Sequence, residues 1–215
     1  MKLPLLAAIA TLTVAPAFAL DSTANAAAAP SASNDPVHRY VVESTSPPNS
    51  HGKAKANEAS LGVRWLRSYS TADKAKTYSL YEAPNEEAIR KAAALNKLAL
   101  IHVDEAPVDL DSESDARSGN LPAGMHRYMI ERTFPAGALD GLDSSAKSKV
   151  NATNAKYGAQ WVTSYANSGK TRTYCVYNAA DEAAVRAAAK ANGIPVDKVT
   201  EVPNATAARE ATAAR

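Results

Sequence analysis

The chain has 215 residues, 46% of them hydrophobic and 21% charged, which is the composition of an ordinary globular protein and excludes both disorder throughout and a polytopic membrane protein. Its 24 Lys and Arg against 22 Asp and Glu leave a net charge of +2, too weak a field to gather nucleic acid or an anionic membrane, so neither is expected as a partner. The single cysteine, Cys175, excludes an intrachain disulfide, a CxxC redox pair and a cysteine-built zinc or iron–sulfur centre.

Residues 1–19 open with Lys2 and run through Leu3, Leu5, Leu6, Ile9, Leu12 and Val14 to Ala17-Phe18-Ala19, the pattern of a secretory signal peptide cleaved after Ala19. The apolar run is short of the roughly 20 residues that span a bilayer. A secreted or periplasmic protein, free of the membrane after cleavage, is therefore expected. Residues 20–36 collapse to Ala, Ser, Asn, Asp and Pro and read as a disordered spacer.

The rest of the chain repeats itself. His38-Arg39-Tyr40-Val41-Val42-Glu43 returns 88 residues later as His126-Arg127-Tyr128-Met129-Ile130-Glu131. After eight extra residues in the second copy the offset becomes 96, and Gly62-Val63-Arg64-Trp65 matches Gly158-Ala159-Gln160-Trp161, while Thr77-Tyr78-Ser79-Leu80-Tyr81 matches Thr173-Tyr174-Cys175-Val176-Tyr177. The modules are predicted over 37–106 and 125–203, joined by an acidic linker, 107–124, and followed by a flexible tail, 204–215. Asp109, Asp111, Glu113 and Asp115 alternate with small residues in the linker, without the glycine and final Glu of a calcium-binding EF-hand loop.

Each copy reads strand, helix, strand, strand, helix, strand. Tyr40–Val42 and Tyr128–Ile130 are short β-rich runs; Arg64–Ser70 and Thr77–Tyr81 form a hairpin around Asp73-Lys74, as do their counterparts around Ser168-Gly169-Lys170. Trp65 and Tyr69 are expected on one face of their strand and Leu66 on the other. The first helices are expected over about 51–61 and 144–157. Asn85 and Asp181 are N-caps for the second helices, whose Ile89, Ala92 and Ala93, or Val185, Ala188 and Ala189, share one face. The order βαββαβ predicts an α+β fold of two ferredoxin-like modules, each an antiparallel sheet with helices on one face. The open sheet faces need cover, and two modules in one chain supply it by packing sheet to sheet as a pseudo-dimeric α/β barrel.

Arg127–Pro135, Gly158–Tyr165, Thr173–Tyr177 and Asp197–Val202 resemble the small nickel-binding, ferredoxin-like proteins first catalogued as a domain of unknown function, and 37–106 resembles them more loosely. The resemblance implies a module that dimerises through its sheet, so this chain resembles a fused dimer and is expected to be a monomer with an internal pseudo-dimer. It also implies nickel. The histidine that commonly follows the Trp-Val pair in that family is replaced here by Arg67 and Thr163.

The site candidates are duplicated residues. His38 and His126 are imidazoles suited to nickel, zinc or copper, or else exposed strand ends; Glu43 and Glu131 are carboxylates inside otherwise apolar strands. These four are the expected metal residues. Glu43 is expected to approach Glu105 and Tyr81, and Glu131 to approach Glu201 and Tyr177, with Trp65 and Trp161 as further cavity candidates. Three functions stay open: an exported metal-binding protein, nickel by resemblance; an enzyme acting on a small molecule between the sheets with Glu43 or Glu131 as base; and a catalytically silent interaction module. No nucleophile elbow, phosphate-binding glycine loop or HExxH motif names an enzyme class. Cys175 is expected as a buried small residue, and Asn151-Ala152-Thr153 and Asn204-Ala205-Thr206 as chance sequons.

Overall fold

The computed structural model describes residues 36–45, 57–112 and 121–207. Residues 1–19, most of the spacer, and His51 lie outside them. Ten strands build two five-stranded sheets. The first sheet has the order β10(Asn204–Ala207), β2(Arg64–Ser70), β3(Lys76–Ala83), β1(His38–Thr45), β4(Ala99–Glu105); the second has β5(Val108–Asp111), β7(Ala159–Ala166), β8(Arg172–Ala179), β6(His126–Thr133), β9(Lys198–Glu201). Every pairing is antiparallel, and the two registers correspond: Glu43 faces Tyr78 across β1 and β3 as Glu131 faces Tyr174 across β6 and β8.

Among the described residues the helices are α1(Glu86–Leu95), α2(Ser144–Lys156) and α3(Glu182–Ala191), and residues 57–60 are helical as well, the earlier part of the helix expected over about 51–61 lying outside the described residues. Asn85 and Asp181 cap α1 and α3 as expected, their side chains accepting from the backbone N–H of Ala88 and Ala184. Buried Ile89, Ala92 and Ala93, and buried Val185, Ala188 and Ala189, turn the apolar faces of α1 and α3 to the sheets. In both hairpin turns a lysine, Lys74 or Lys170, takes the left-handed conformation, with φ of 57° and 51°.

Alternation along the strands divides the core into three layers. Tyr40 and Val42 of β1 pack under α1 with Ile89 and Ala92, and Tyr128 and Ile130 of β6 pack with Val185 and Ala188. Residues of the opposite parity, Val41, Tyr78 and Leu80, meet Met129, Tyr174 and Val176 between the sheets. The open faces thus cover each other, and the two modules form the ferredoxin-like, sheet-to-sheet α/β barrel expected from the sequence.

Two segments depart from the expected pattern. Val108–Asp111, read as part of a solvated linker, forms β5 and pairs with β7; Asn204–Ala207, read as tail, forms β10 and pairs with β2. Each module therefore lends a terminal strand to the edge of the other module's sheet, which pairs backbone groups an open edge would leave unpaired. The sequon asparagines also have structural duties: Asn151 Nδ2 donates to the Ser112 carbonyl at 2.8 Å, and Asn204 Nδ2 to that of Thr71 at 3.0 Å.

The expected facing of Trp65, on the same side of its strand as Tyr69, is corrected by a β-bulge. The pairing register slips between Trp65 and Arg67 and, identically, between Trp161 and Thr163. One extra residue reverses the alternation. Trp161 consequently packs on the helix side while Tyr165 packs between the sheets, and the indole N–H groups of Trp65 and Trp161 donate to Ser68 and Ser164 at 2.6 and 2.9 Å.

Candidate functional site

Glu43 and Glu131 lie two residues beyond Val41 and Met129 on their strands, so the same alternation that buries those apolar side chains turns both carboxylates toward the opposite sheet. Glu43 is 1% exposed. Its Oε1 accepts from Lys76 Nζ at 2.7 Å and from Lys198 Nζ at 3.0 Å. Lys198 extends from β9, where it pairs with Glu131, and its ammonium also donates to Glu131 Oε1 at 2.9 Å. One lysine thus clamps the two duplicated carboxylates across the sheets. Tyr78 O–H donates to Glu131 Oε1 at 3.0 Å, and Arg172 reaches Glu131 Oε2 at 3.4 Å. Tyr174 O–H donates to Asp104, which Arg172 also approaches at 3.5 Å.

The electrostatics of this cluster are self-contained. Burial on its own would raise the Glu43 pKa, but Lys76 and Lys198 outweigh it and hold the carboxyl below its ordinary range. Desolvation would lower the Lys198 pKa, yet Glu131 and Glu43 drive it upward. Tyr78 is pushed up to about 12, first by burial and then by the neighbouring Glu131 and Glu43. Lys76, Lys198 and Arg172 balance Glu43, Glu131 and Asp104 charge for charge. An added cation would have to displace an ammonium already bound to both glutamates.

The histidines stand elsewhere. His38 is five residues from Glu43 and therefore on the opposite face of β1. His38 Nδ1 donates to Glu105 Oε1 at 2.8 Å, and His126 Nδ1 to Glu201 Oε1 at 2.7 Å, both pairs exposed at strand ends beside Tyr40 and Tyr128. This tautomer, set by the carboxylate, leaves the lone pair on Nε2. The expected approach of Glu43 to Glu105 and Tyr81 does not occur: both lie opposite Tyr40, three residues and roughly 10 Å along β1, on the other face. Glu131 is separated from Glu201 and Tyr177 in the same way, since both lie opposite Tyr128.

The cavity candidates move as well. The expected space between the sheets is filled by Tyr69, Tyr78, Tyr165, Tyr174 and their apolar neighbours. Trp161 and Tyr177 instead line a cavity of about 50 Å³ between the second sheet and its helix side, and Tyr81 lines one of about 10 Å³ in the first module, where its hydroxyl donates to Glu58 at 3.4 Å. Trp65 lines neither cavity. Cys175 is buried and free, as expected.

The positions that carry the family histidine by resemblance also lie at the inter-sheet layer. Arg67 donates to Tyr69 Oη at 3.4 Å, and Thr163 donates to Asp109 Oδ1 at 3.1 Å. A guanidinium beside the Tyr69 hydroxyl does not fit a bound cation. Among the described residues no group of three or more His, Cys, Asp or Glu converges as a ready metal site.

The profile of the family described as nickel responsive protein SCO4226-like matches residues 40–105 and 128–202. The chain belongs to this family. The two matched segments are the two modules, so this member carries the family domain as a tandem duplication. No curated protein matches the chain at a significant level. Among solved structures the chain is similar to a putative monooxygenase from Lactobacillus acidophilus NCFM, at 11% identity and a TM-score of 0.37, covering 78% of this chain and 94% of that one. It is similar as well to a chlorite dismutase from Candidatus Nitrospira defluvii, solved with imidazole, at 7% identity and a TM-score of 0.43 over 77% and 89% of the two chains.

Lys76 and Lys198 are residues that reading the sequence missed, and Lys198 left a signal. Lys198 occupies the place of His102, each standing opposite the duplicated glutamate, and the signal lay in that change of type within a shared register.

Proposed function

We propose that this chain is an exported metal-binding protein that works as a monomer and takes nickel at the duplicated pairs His38–Glu105 and His126–Glu201. The observation that carries the reading is the recurrence of one arrangement in both modules: an exposed imidazole whose Nδ1 is held by a carboxylate at 2.8 or 2.7 Å. That arrangement orients a metal-ligating histidine and fixes its tautomer, and imidazole suits nickel. Each pair supplies one nitrogen ligand, with water completing the coordination shell. The family's nickel response supports the choice of ion, and the N-terminal pattern of 1–19 supports export. The ion pairs that tie Glu131 to Lys198 and Arg172 leave the carboxylate engaged, which disfavours its use as a catalytic base.

Calorimetric titration of the tag-free mature protein with nickel tests the reading. His38→Ala and His126→Ala are each expected to remove one binding event and the double variant both. Undiminished nickel binding in the double variant would overturn the assignment. A mature N-terminus at Leu20, read from protein recovered outside the cytoplasm, is the expected mark of export.

A further inference from the structure

The two His–Glu pairs are alike in shape and differ in the charge beside them. His38 lies across from Ala83 and His126 across from Ala179, the last residues of β3 and β8. Two residues further on, each chain segment reaches the N-cap of a helix, Asn85 for α1 and Asp181 for α3. The caps are built identically: both backbones are extended, and the two side chains accept from the N–H of Ala88 at 2.9 Å and of Ala184 at 2.7 Å. Asn and Asp are nearly isosteric and cap a helix equally well, so the repeat keeps the geometry and changes one charge. Paired strand residues are about 5 Å apart and two extended residues add at most about 7 Å, which sets the Asp181 backbone within roughly 10 Å of His126.

That charge is felt at the second pair. The Tyr128 ring stands 6.5 Å from that of His126, and its hydroxyl pKa is raised by burial and then by Glu201, Asp181 and Glu182. The Tyr40 ring stands at the same 6.5 Å from His38, and its hydroxyl is raised by burial and then by Glu105 and Glu86, Asn85 being neutral. The other charges balance between the copies. Glu86 and Glu182 are each bridged to the arginine four residues on, at 2.6 and 2.7 Å, and Glu87, whose counterpart is Ala183, is bridged to Lys91 at 2.8 Å. Behind the first pair Arg39 and Arg64 share Glu82, and behind the second Arg127 donates to the neutral Asn178, so one net positive charge stands behind each. Asp104, whose counterpart is Thr200, is engaged on the opposite face by Arg172 and Tyr174. The positive ends of α1 and α3 are common to both.

From this we infer that His126–Glu201 is the tighter of the two nickel sites and fills first, and that Asp181 sets the difference. The inference rests on the nickel reading above and adds the order of filling. Asp181 acts through space, because its side chain is held by the helix it caps. A unit charge roughly 10 Å from a divalent ion changes its affinity about fourfold in bulk water and more where protein displaces water, so a difference of about three- to tenfold is expected.

Calorimetric titration with nickel at about 10 mM ionic strength reads the sites one at a time, because His38→Ala leaves the second and His126→Ala leaves the first. The His38→Ala protein is expected to bind about three- to tenfold more tightly. Asp181→Asn in that background keeps the cap and should weaken binding to the level of the first site, and Asn85→Asp in the His126→Ala background should tighten it by the same factor. In 1 M sodium chloride, where charges are screened within about 3 Å, the two sites should become equal; a difference in coordination geometry would survive the salt. Equal constants at low salt, or a difference that persists through Asp181→Asn or through 1 M salt, would overturn the inference and leave nickel binding standing. Absence of nickel binding in the parent protein would overturn both readings.

Discussion

Replacing Glu43 by Gln removes one negative charge from the layer between the sheets while keeping the shape of the side chain. Glu43 holds two ammonium groups at 2.7 and 3.0 Å, and breaking a buried pair by deleting one partner costs about 3–5 kcal/mol. The lysines are only partly buried, with side chains 28% and 41% exposed, so both recover some hydration when the carboxylate goes, and the expected loss is reduced to about 2 kcal/mol. For a folded unit of this size that corresponds to a fall in Tm of about 4–8 °C at pH 7. The pH dependence has a definite sign. Because the Glu43 pKa is lowered on folding, its stabilisation is complete above the unfolded carboxylate pKa of about 4.3 and is lost as pH falls through the lower folded value. Thermal melts of parent and Glu43→Gln protein, in chelator, should therefore differ at pH 7 and converge in acid. A variant melting at or above the parent at pH 7 would refute the reasoning, since it would mean that two facing carboxylates repel more than Lys198 and Lys76 attract.

Lys198→Met should also lower Tm in chelator, and millimolar calcium or magnesium should restore part of the loss, because the variant leaves Glu43 and Glu131 facing each other without the ammonium between them; melts with and without the added cation measure it. Ending the chain after Pro203 removes β10 and bares the edge of β2, so the shortened protein should melt lower and self-associate with rising concentration in analytical ultracentrifugation.

The repeat, the element order and the sheet-to-sheet packing were legible because they rest on alternation and on the matched runs around Tyr40 and Tyr128, Trp65 and Trp161. Strand β5 was legible in principle: Val108-Asp109-Leu110-Asp111 alternates with period two, but the acidity of the following residues made the whole stretch resemble a linker. Strand β10, Asn-Ala-Thr-Ala, has no such signal and is a strand only because β2 offers it an edge. The facing of Trp65 relative to Tyr69 was misread since a bulge is invisible in a residue pattern. The importance of Glu43 and Glu131 could be read from their placement in apolar strands; their partners could not, because Lys76 and Lys198 come from distant segments that only the pairing registers and the inter-sheet contact bring within reach. His38 and His126 were found as a duplicated pair, but their carboxylate neighbours follow from the fourth strand of each module, whose register fixes Glu105 and Glu201 beside them.

A homodimer built from one module would receive every substitution twice, once on each side of its axis. Here the two copies vary separately. The position that is His102 in one is Lys198 in the other, and a single ammonium reaches two glutamates where a symmetric assembly would have to place two lysines, or two histidines, against the same pair. Ser44 and Arg132 diverge likewise. Joining the copies has thus released each half from the requirement to be compatible with itself, and one module can acquire a chemistry that its twin never has to carry.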